Sequence, residues 1–185
     1  MTKLFIYIFL LFNSVLFAQN QQIFDSLLVN KLRIVSEEKL ISEIDANEIF
    51  TFGNLTDLFD SKFDSVQLVH LINKHNSIYK KSKKWAQGDF KNVYFLKEGE
   101  KVNMNAYLKV DTISKKKEVR KKINIYNQHS GWTNIPLKIS HITYSDDNQF
   151  ALVKVINGNN GSNVILFQNL NNNWKIKSYL MRLAF

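Results

Sequence analysis

The apolar positions of this chain change period near its middle. In the front half they recur at helical spacing. Ile23, Phe24, Leu27, Leu28 and Leu32 form one stripe with Lys31 beside it. Ser36 then stands where a helix N-cap belongs, with Glu37 and Glu38 in the first turn, where acids complement the helix dipole. Leu40, Ile41, Ile44 and Ile49 continue that second helix until Gly53 and Asn54 break it. A third helix is predicted from Asp60 or Ser61, its apolar face supplied by Phe63, Val66, Leu68, Val69, Leu71, Ile72 and Ile78.

In the back half the spacing reads as strands. Val93–Leu96 is a short apolar run. Val102, Met104, Ala106, Leu108 and Val110 alternate with polar neighbours, the period-2 pattern of a half-buried strand. Ser114 to Lys117 would then turn the chain back into Val119–Tyr126. After Pro136 four more strands are predicted, over residues 137–144, 150–156, 164–167 and 174–180. Their connectors, 145–148, 157–161 and 169–173, are rich in Asn, Asp and Gly, which tolerate positive φ. Links this short impose antiparallel pairing. The predicted fold class is therefore α+β, with N-terminal helices followed by an antiparallel β-meander of six or seven strands.

The first residues follow another pattern. Lys3 precedes an apolar run from Leu4 to Phe12, which resumes as Val15-Leu16-Phe17-Ala18 and turns polar at Gln19-Asn20-Gln21-Gln22. A basic start, an apolar middle and a small residue at the cut are the layout of a secretory signal peptide. The run is too short, and too interrupted by Asn13 and Ser14, for a membrane span of about 20 residues. The expected organisation is a signal peptide over residues 1–18 and one α+β domain over 19–185, released to the periplasm or the extracellular medium. No later segment is long and apolar enough to span a membrane. The chain has no cysteine, so disulfides, thiolate metal sites and a lipidated cysteine at the cut are excluded.

Charge divides the domain. The chain carries +9, and loss of Lys3 with the signal leaves +8. Residues 19–70 hold four basic and nine acidic side chains, whereas residues 71–125 hold fifteen basic and five acidic. A basic middle favours an anionic surface or an acidic protein partner. Packing of the acidic front beside the basic middle would neutralise it within the molecule. The densest run is Lys115, Lys116, Lys117, Arg120, Lys121 and Lys122, read as a hairpin tip and a candidate anion-binding surface. Export sets aside the nucleic-acid reading such a run would otherwise invite. A second run, Lys80 to Lys84, ends at Trp85, where basic residues beside Trp85, Phe90 and Tyr94 could hold a ligand by stacking.

Catalytic patterns are weak. His70 and His75, five apart on a helix, point about 140° apart and cannot share a metal face. His129-Ser130-Gly131 sets a base beside a hydroxyl, but sequence neighbours rarely make the hydrogen bond a nucleophile needs. Front-half carboxylates such as Glu43, Glu48 and Asp64 fall on polar helix faces and at caps. Asp146 and Asp147 sit in a tight turn. No catalytic residue, cofactor or metal ligand is assigned.

The segment Ala151-Leu152-Val153-Lys154-Val155, a Gly/Asn loop, Ile165-Leu166-Phe167 and Asn173-Trp174-Lys175-Ile176 resembles the ends of exported bacterial proteins and parts of the NTF2-like superfamily. The likeness spans residues 139–181. It implies a curved antiparallel sheet backed by helices around a pocket, with Trp174 and Ile176 on one face of the last strand. The chain departs from that superfamily in its larger count of predicted strands and carries no functional residue over from it. The functional expectation is a non-catalytic binding domain for a small ligand, envelope component or protein partner. The alternatives are a hydrolase with a site assembled from distant segments and an inhibitor- or immunity-type protein.

Overall fold

The computed structural model describes residues 17–29, 31–53, 55, 58–78, 84–85, 89–112, 114–128, 136–158 and 161–183. In chain order these form α1 (residues 17–27), β1 (Ile34–Ser36), α2 (Ala46–Phe52), α3 (Ser65–Ile78), β2 (Tyr94–Leu96), α4 (Met104–Val110), α5 (Lys116–Gln128), β3 (Lys138–Ile139), β4 (Thr143–Tyr144), β5 (Phe150–Ile156), β6 (Ser162–Leu170) and β7 (Asn173–Leu183). The α+β class holds. Two of the predicted strands are helices.

The main sheet is open, five-stranded and antiparallel, in the order β3-β5-β6-β7, with β4 also pairing with β5. Both β3 and β4 lie on the same edge of β5, Ile139 opposite Val155 and Thr143 opposite Leu152. β1 and β2 form a separate parallel pair, Ile34 opposite Tyr94, and Val35 bridges to Leu137 beside β3.

Helices cover both faces of the main sheet. On one face Ile23, Phe24 and Leu27 of α1 pack with Phe90 and Phe95 against Ala151, Val153, Val155, Ile165, Phe167 and Trp174. On the other, Ile49 of α2 and Leu68, Leu71 and Ile72 of α3 pack against Phe150, Leu152, Val164, Leu166 and Leu180. Burial on both faces explains why β5 and β6 read as near-continuous apolar runs. A third cluster joins Tyr107 of α4 and Val119 and Ile123 of α5 to Ile34 and Leu96 of the small sheet. Each fully buried Phe, Leu or Ile contributes about 1.5–3 kcal/mol.

The N-terminal boundaries differ from expectation. Ser36 is not a helix cap: it is buried in β1, and its hydroxyl accepts from the Glu38 N–H at 3.1 Å. The segment after it stays extended until Asp45 caps α2 by accepting from Asn47 at 2.8 Å. Asp60 caps a turn rather than a helix, accepting from Lys62 and Phe63. α3 starts at Ser65, behind a reciprocal box in which Asp64 accepts from the Gln67 N–H at 2.8 Å and Gln67 accepts from the Asp64 N–H at 2.9 Å.

The expected strand over 102–110 is α4, capped by Asn103, which accepts from Ala106 at 3.0 Å. Met104, Tyr107 and Leu108 are an i, i+3, i+4 set, and burial of Tyr107 selects the helix. The expected strand over 119–126 is α5, where Val119, Ile123 and Tyr126 share one face. The predicted 137–144 strand is split into β3 and β4 by Ser140, whose hydroxyl accepts from the Lys154 N–H at 2.9 Å. Among the described residues no helix is long and apolar enough to cross a membrane.

Candidate functional site

A cleft of about 470 Å³ opens between the end of α1 and the start of α5. One wall is Asp25, Leu28, Val29, Lys31, Leu32 and Arg33, and the other is Ser114, Lys115, Glu118, Val119 and Lys122. The second wall is a helix face: 115, 118, 119 and 122 are three to four residues apart and therefore line up. The positive end of the α5 dipole adds to the lysines there.

Arg33 is nearly buried and already paired. Its guanidinium contacts the Asp25 carboxylate and the Asn92 carbonyl. Its backbone N–H donates to the Tyr107 hydroxyl at 2.9 Å, and that hydroxyl donates to Asp111 at 3.0 Å. Burial, with Asp111 beside it, pushes the Tyr107 hydroxyl well above the ordinary tyrosine range and keeps it a donor. Lys31, Lys115 and Lys122 are exposed, and none lies within ion-pair distance of a carboxylate among the described residues.

Of the six residues predicted as an anion-binding surface, Lys115 and Lys122 line this cleft, while Lys116, Lys117, Arg120 and Lys121 are exposed on the other turns of α5. The run is thus a helix surface, not a hairpin tip. Acids of the front segment pair elsewhere: Asp25 with Arg33, Glu37 with Lys84 at 3.4 Å and Asp60 with Lys177 at 2.6 Å. Among the described residues no carboxylate lies within ion-pair distance of the cations of α5.

The proposed stacking platform is core instead. Trp85 meets Phe24 edge-on at 5.3 Å and Phe90 at 5.1 Å, and its indole N–H donates to the Ile139 carbonyl. Tyr94 packs on Tyr107 at 5.7 Å. Lys39 lies 4.0 Å over the Trp85 ring. Lys80 to Lys83 and the His129-Ser130-Gly131 segment lie outside the described residues.

A second hollow, about 360 Å³, is floored by Phe63, Leu71 and Phe150 and rimmed by Val66, Gln67, His70, Ser145, Asp146 and Asp147. His70 Nε2 lies 3.1 Å from Asp146, whose other oxygen takes Lys74 at 2.5 Å. These hydrogen bonds, Lys74 first, hold the Asp146 carboxyl below its usual range. The Ser145 hydroxyl donates to Asp147 at 2.6 Å, so the serine serves the turn and not His70.

Between α3 and β4 lies a buried pair that sequence spacing does not bring together. His75 and His141 stack at 4.4 Å with 19° between their planes. His75 Nδ1 is 3.0 Å from the Thr143 hydroxyl, and His75 Nε2 and both ring nitrogens of His141 have no side-chain partner among the described residues. Burial, then the neighbouring His141 and Lys154, lowers His75 to about 3. Burial and Lys39 lower His141, opposed by the His75 main chain. The Lys154 ammonium donates to the Ser42 hydroxyl at 2.7 Å and the Glu43 carbonyl at 2.6 Å. Nearly parallel rings do not aim their in-plane lone pairs at one ion. Among the described residues no group of three His, Asp or Glu forms a metal site.

No protein family, curated protein or solved structure matches the chain. The arrangement of its own residues is therefore the ground for a functional reading. The meeting of Leu28, Val29 and Leu32 with the α5 face and the His75–His141 contact carried no signal in the sequence, because both depend on segments far apart in the chain.

Proposed function

We propose that the protein is an exported, non-catalytic binding domain that holds an anionic ligand, envelope component or protein partner through the α5 face and the cleft beside it. The observation that carries the reading is the set of exposed cations at the start of α5 and along it, without an ion-pair partner among the described residues; Lys115 and Lys122 of this set line a concave site with Lys31. Isolated surface lysines are ordinary, but three converging on one cleft raise the local potential for anions. Titration with pyrophosphate, followed by backbone NMR shifts, is expected to perturb residues 28–33 and 114–122 and to weaken at least about tenfold in a Lys115→Glu/Lys122→Glu variant. Shifts spread evenly over the surface, or affinity unchanged in the variant, would overturn it.

This reading places the mature start at Gln19. Ile23 and Phe24 are fully buried, and the polar residues after Ala18 are tied into the domain. Asn20 accepts from the Tyr144 hydroxyl at 2.6 Å, and Gln22 accepts from the Trp174 N–H at 3.0 Å. N-terminal sequencing of the exported fraction is expected to begin at Gln19; a chain beginning at Met1 would refute cleavage.

The second reading, a hydrolase, is favoured by one feature: the His70–Asp146 pair at the rim of the aromatic hollow. Hydrolysis of p-nitrophenyl esters that disappears in His70→Ala would support it. Activity absent from the wild-type protein, or unchanged in the variant, would count against it.

A further inference from the structure

Resting on the anion-binding reading, we propose that the α1–α5 cleft takes a single amphiphilic anion, a phosphate or carboxylate head carrying a short hydrocarbon chain. The head is met by Lys31, Lys115 and Lys122, and the chain lies against Leu28, Val29, Leu32 and Val119.

The charge count favours one small anion. Arg33 and Asp25 neutralise each other inside the wall. Three lysines remain against Glu118, a surplus of two positive charges, which matches one phosphate and not a polyanion. Glu118 would repel a long anionic polymer laid across the same rim.

The apolar wall is the second, independent feature. A site for inorganic phosphate has no use for aliphatic side chains, yet four of the cleft residues are Leu or Val. Leu28 and Val119 are rooted in the core, whereas Val29 is 61% exposed beside the lysines. Exposed aliphatic surface next to converging cations gains free energy only when an apolar group covers it. The volume lies within the range of small-molecule sites, and its concave shape suits a dissolved molecule better than a flat bilayer surface.

The test is calorimetric titration of the purified mature chain with hexyl phosphate and inorganic phosphate, and a binding assay on phosphatidylglycerol vesicles. Hexyl phosphate is expected to bind at least about tenfold more tightly than inorganic phosphate, the gain that roughly two buried methylene groups supply. Val29→Asn, at an exposed position that folding does not depend on, is expected to remove most of that gain while leaving the inorganic phosphate affinity within about twofold. Lys115→Glu/Lys122→Glu is expected to weaken both. Equal affinity for the two phosphates would overturn this inference and leave the anion-binding reading standing. Vesicle binding without hexyl phosphate binding would overturn it in favour of a membrane surface. Failure of every probe would overturn both.

Discussion

His75 shows how one buried side chain shapes the behaviour of the whole protein. It is fully buried between His141, Thr143 and Lys154, with its ring nitrogen on the Thr143 hydroxyl. A charged imidazole there would face an ammonium and a second imidazole without water, so both rings stay neutral. The groups facing the pair are Lys154 of β5 and Lys39 of the segment before α2, both of which oppose protonation. In the unfolded chain the histidines titrate near 6.5. Between there and about 3 the unfolded state binds more protons, so stability falls as pH falls through this window. The expected loss for His75 alone is up to about 1.4 kcal/mol per pH unit. Urea unfolding from pH 7 to about 5.5 measures it, a range above most carboxylate titration. His75→Asn is expected to flatten the slope; a wild-type profile that is already flat would contradict the assignment.

At the scale of elements, turns were legible and two helices were not. Asn171 and Asn172 have φ of 54° and 64°, a two-residue turn with both positions left-handed between β6 and β7. Such a turn follows the twist of the flanking strands. Asn172→Ala is expected to cost about 1 kcal/mol, and Asn172→Gly to be neutral or slightly stabilising, as read from thermal or urea unfolding. Equal effects of the two would show that φ is not the determinant. Positions 102–110 failed as a strand because Met104, Ala106 and Leu108 satisfy a period of two while Met104, Tyr107 and Leu108 satisfy a period of 3.6. The tie was broken by Tyr107, which reaches Arg33 and Asp111 only from a helix packed on β1 and β2. The same holds for α5, where the lysines masked the Val119–Ile123–Tyr126 stripe. Gly53 marks a close approach between elements: a Cβ there would stand 2.3 Å from the Ile49 carbonyl oxygen and 2.4 Å from that of Leu180. The glycine lets the end of α2 rest on β7.

At the scale of the molecule, α1 links the sheet to the proposed site. Phe24 is fully buried, stacked on Phe90 at 3.7 Å and edge-on to Trp85, while Asp25 and Leu28 on the same segment line the cleft. Phe24→Ala is expected to cost about 3–5 kcal/mol in chemical denaturation and to weaken anion binding through the displaced wall. A loss below about 1 kcal/mol would show that α1 is peripheral to the core. The local chemistry of the chain determined the antiparallel hairpins from β5 onward, the α+β class and the basic segment, because each depends on neighbours within about ten residues. Tertiary packing alone decided that 104–110 and 116–128 are helices, that β1 pairs in parallel with a strand sixty residues away, and that Asp25, Glu37 and Asp60 pair with Arg33, Lys84 and Lys177 rather than with the cations of α5. It also decided that two of the six predicted cations face a cleft whose apolar wall comes from residues 28–32. Those outcomes depend on burial and charge pairing between distant segments, which no local period encodes.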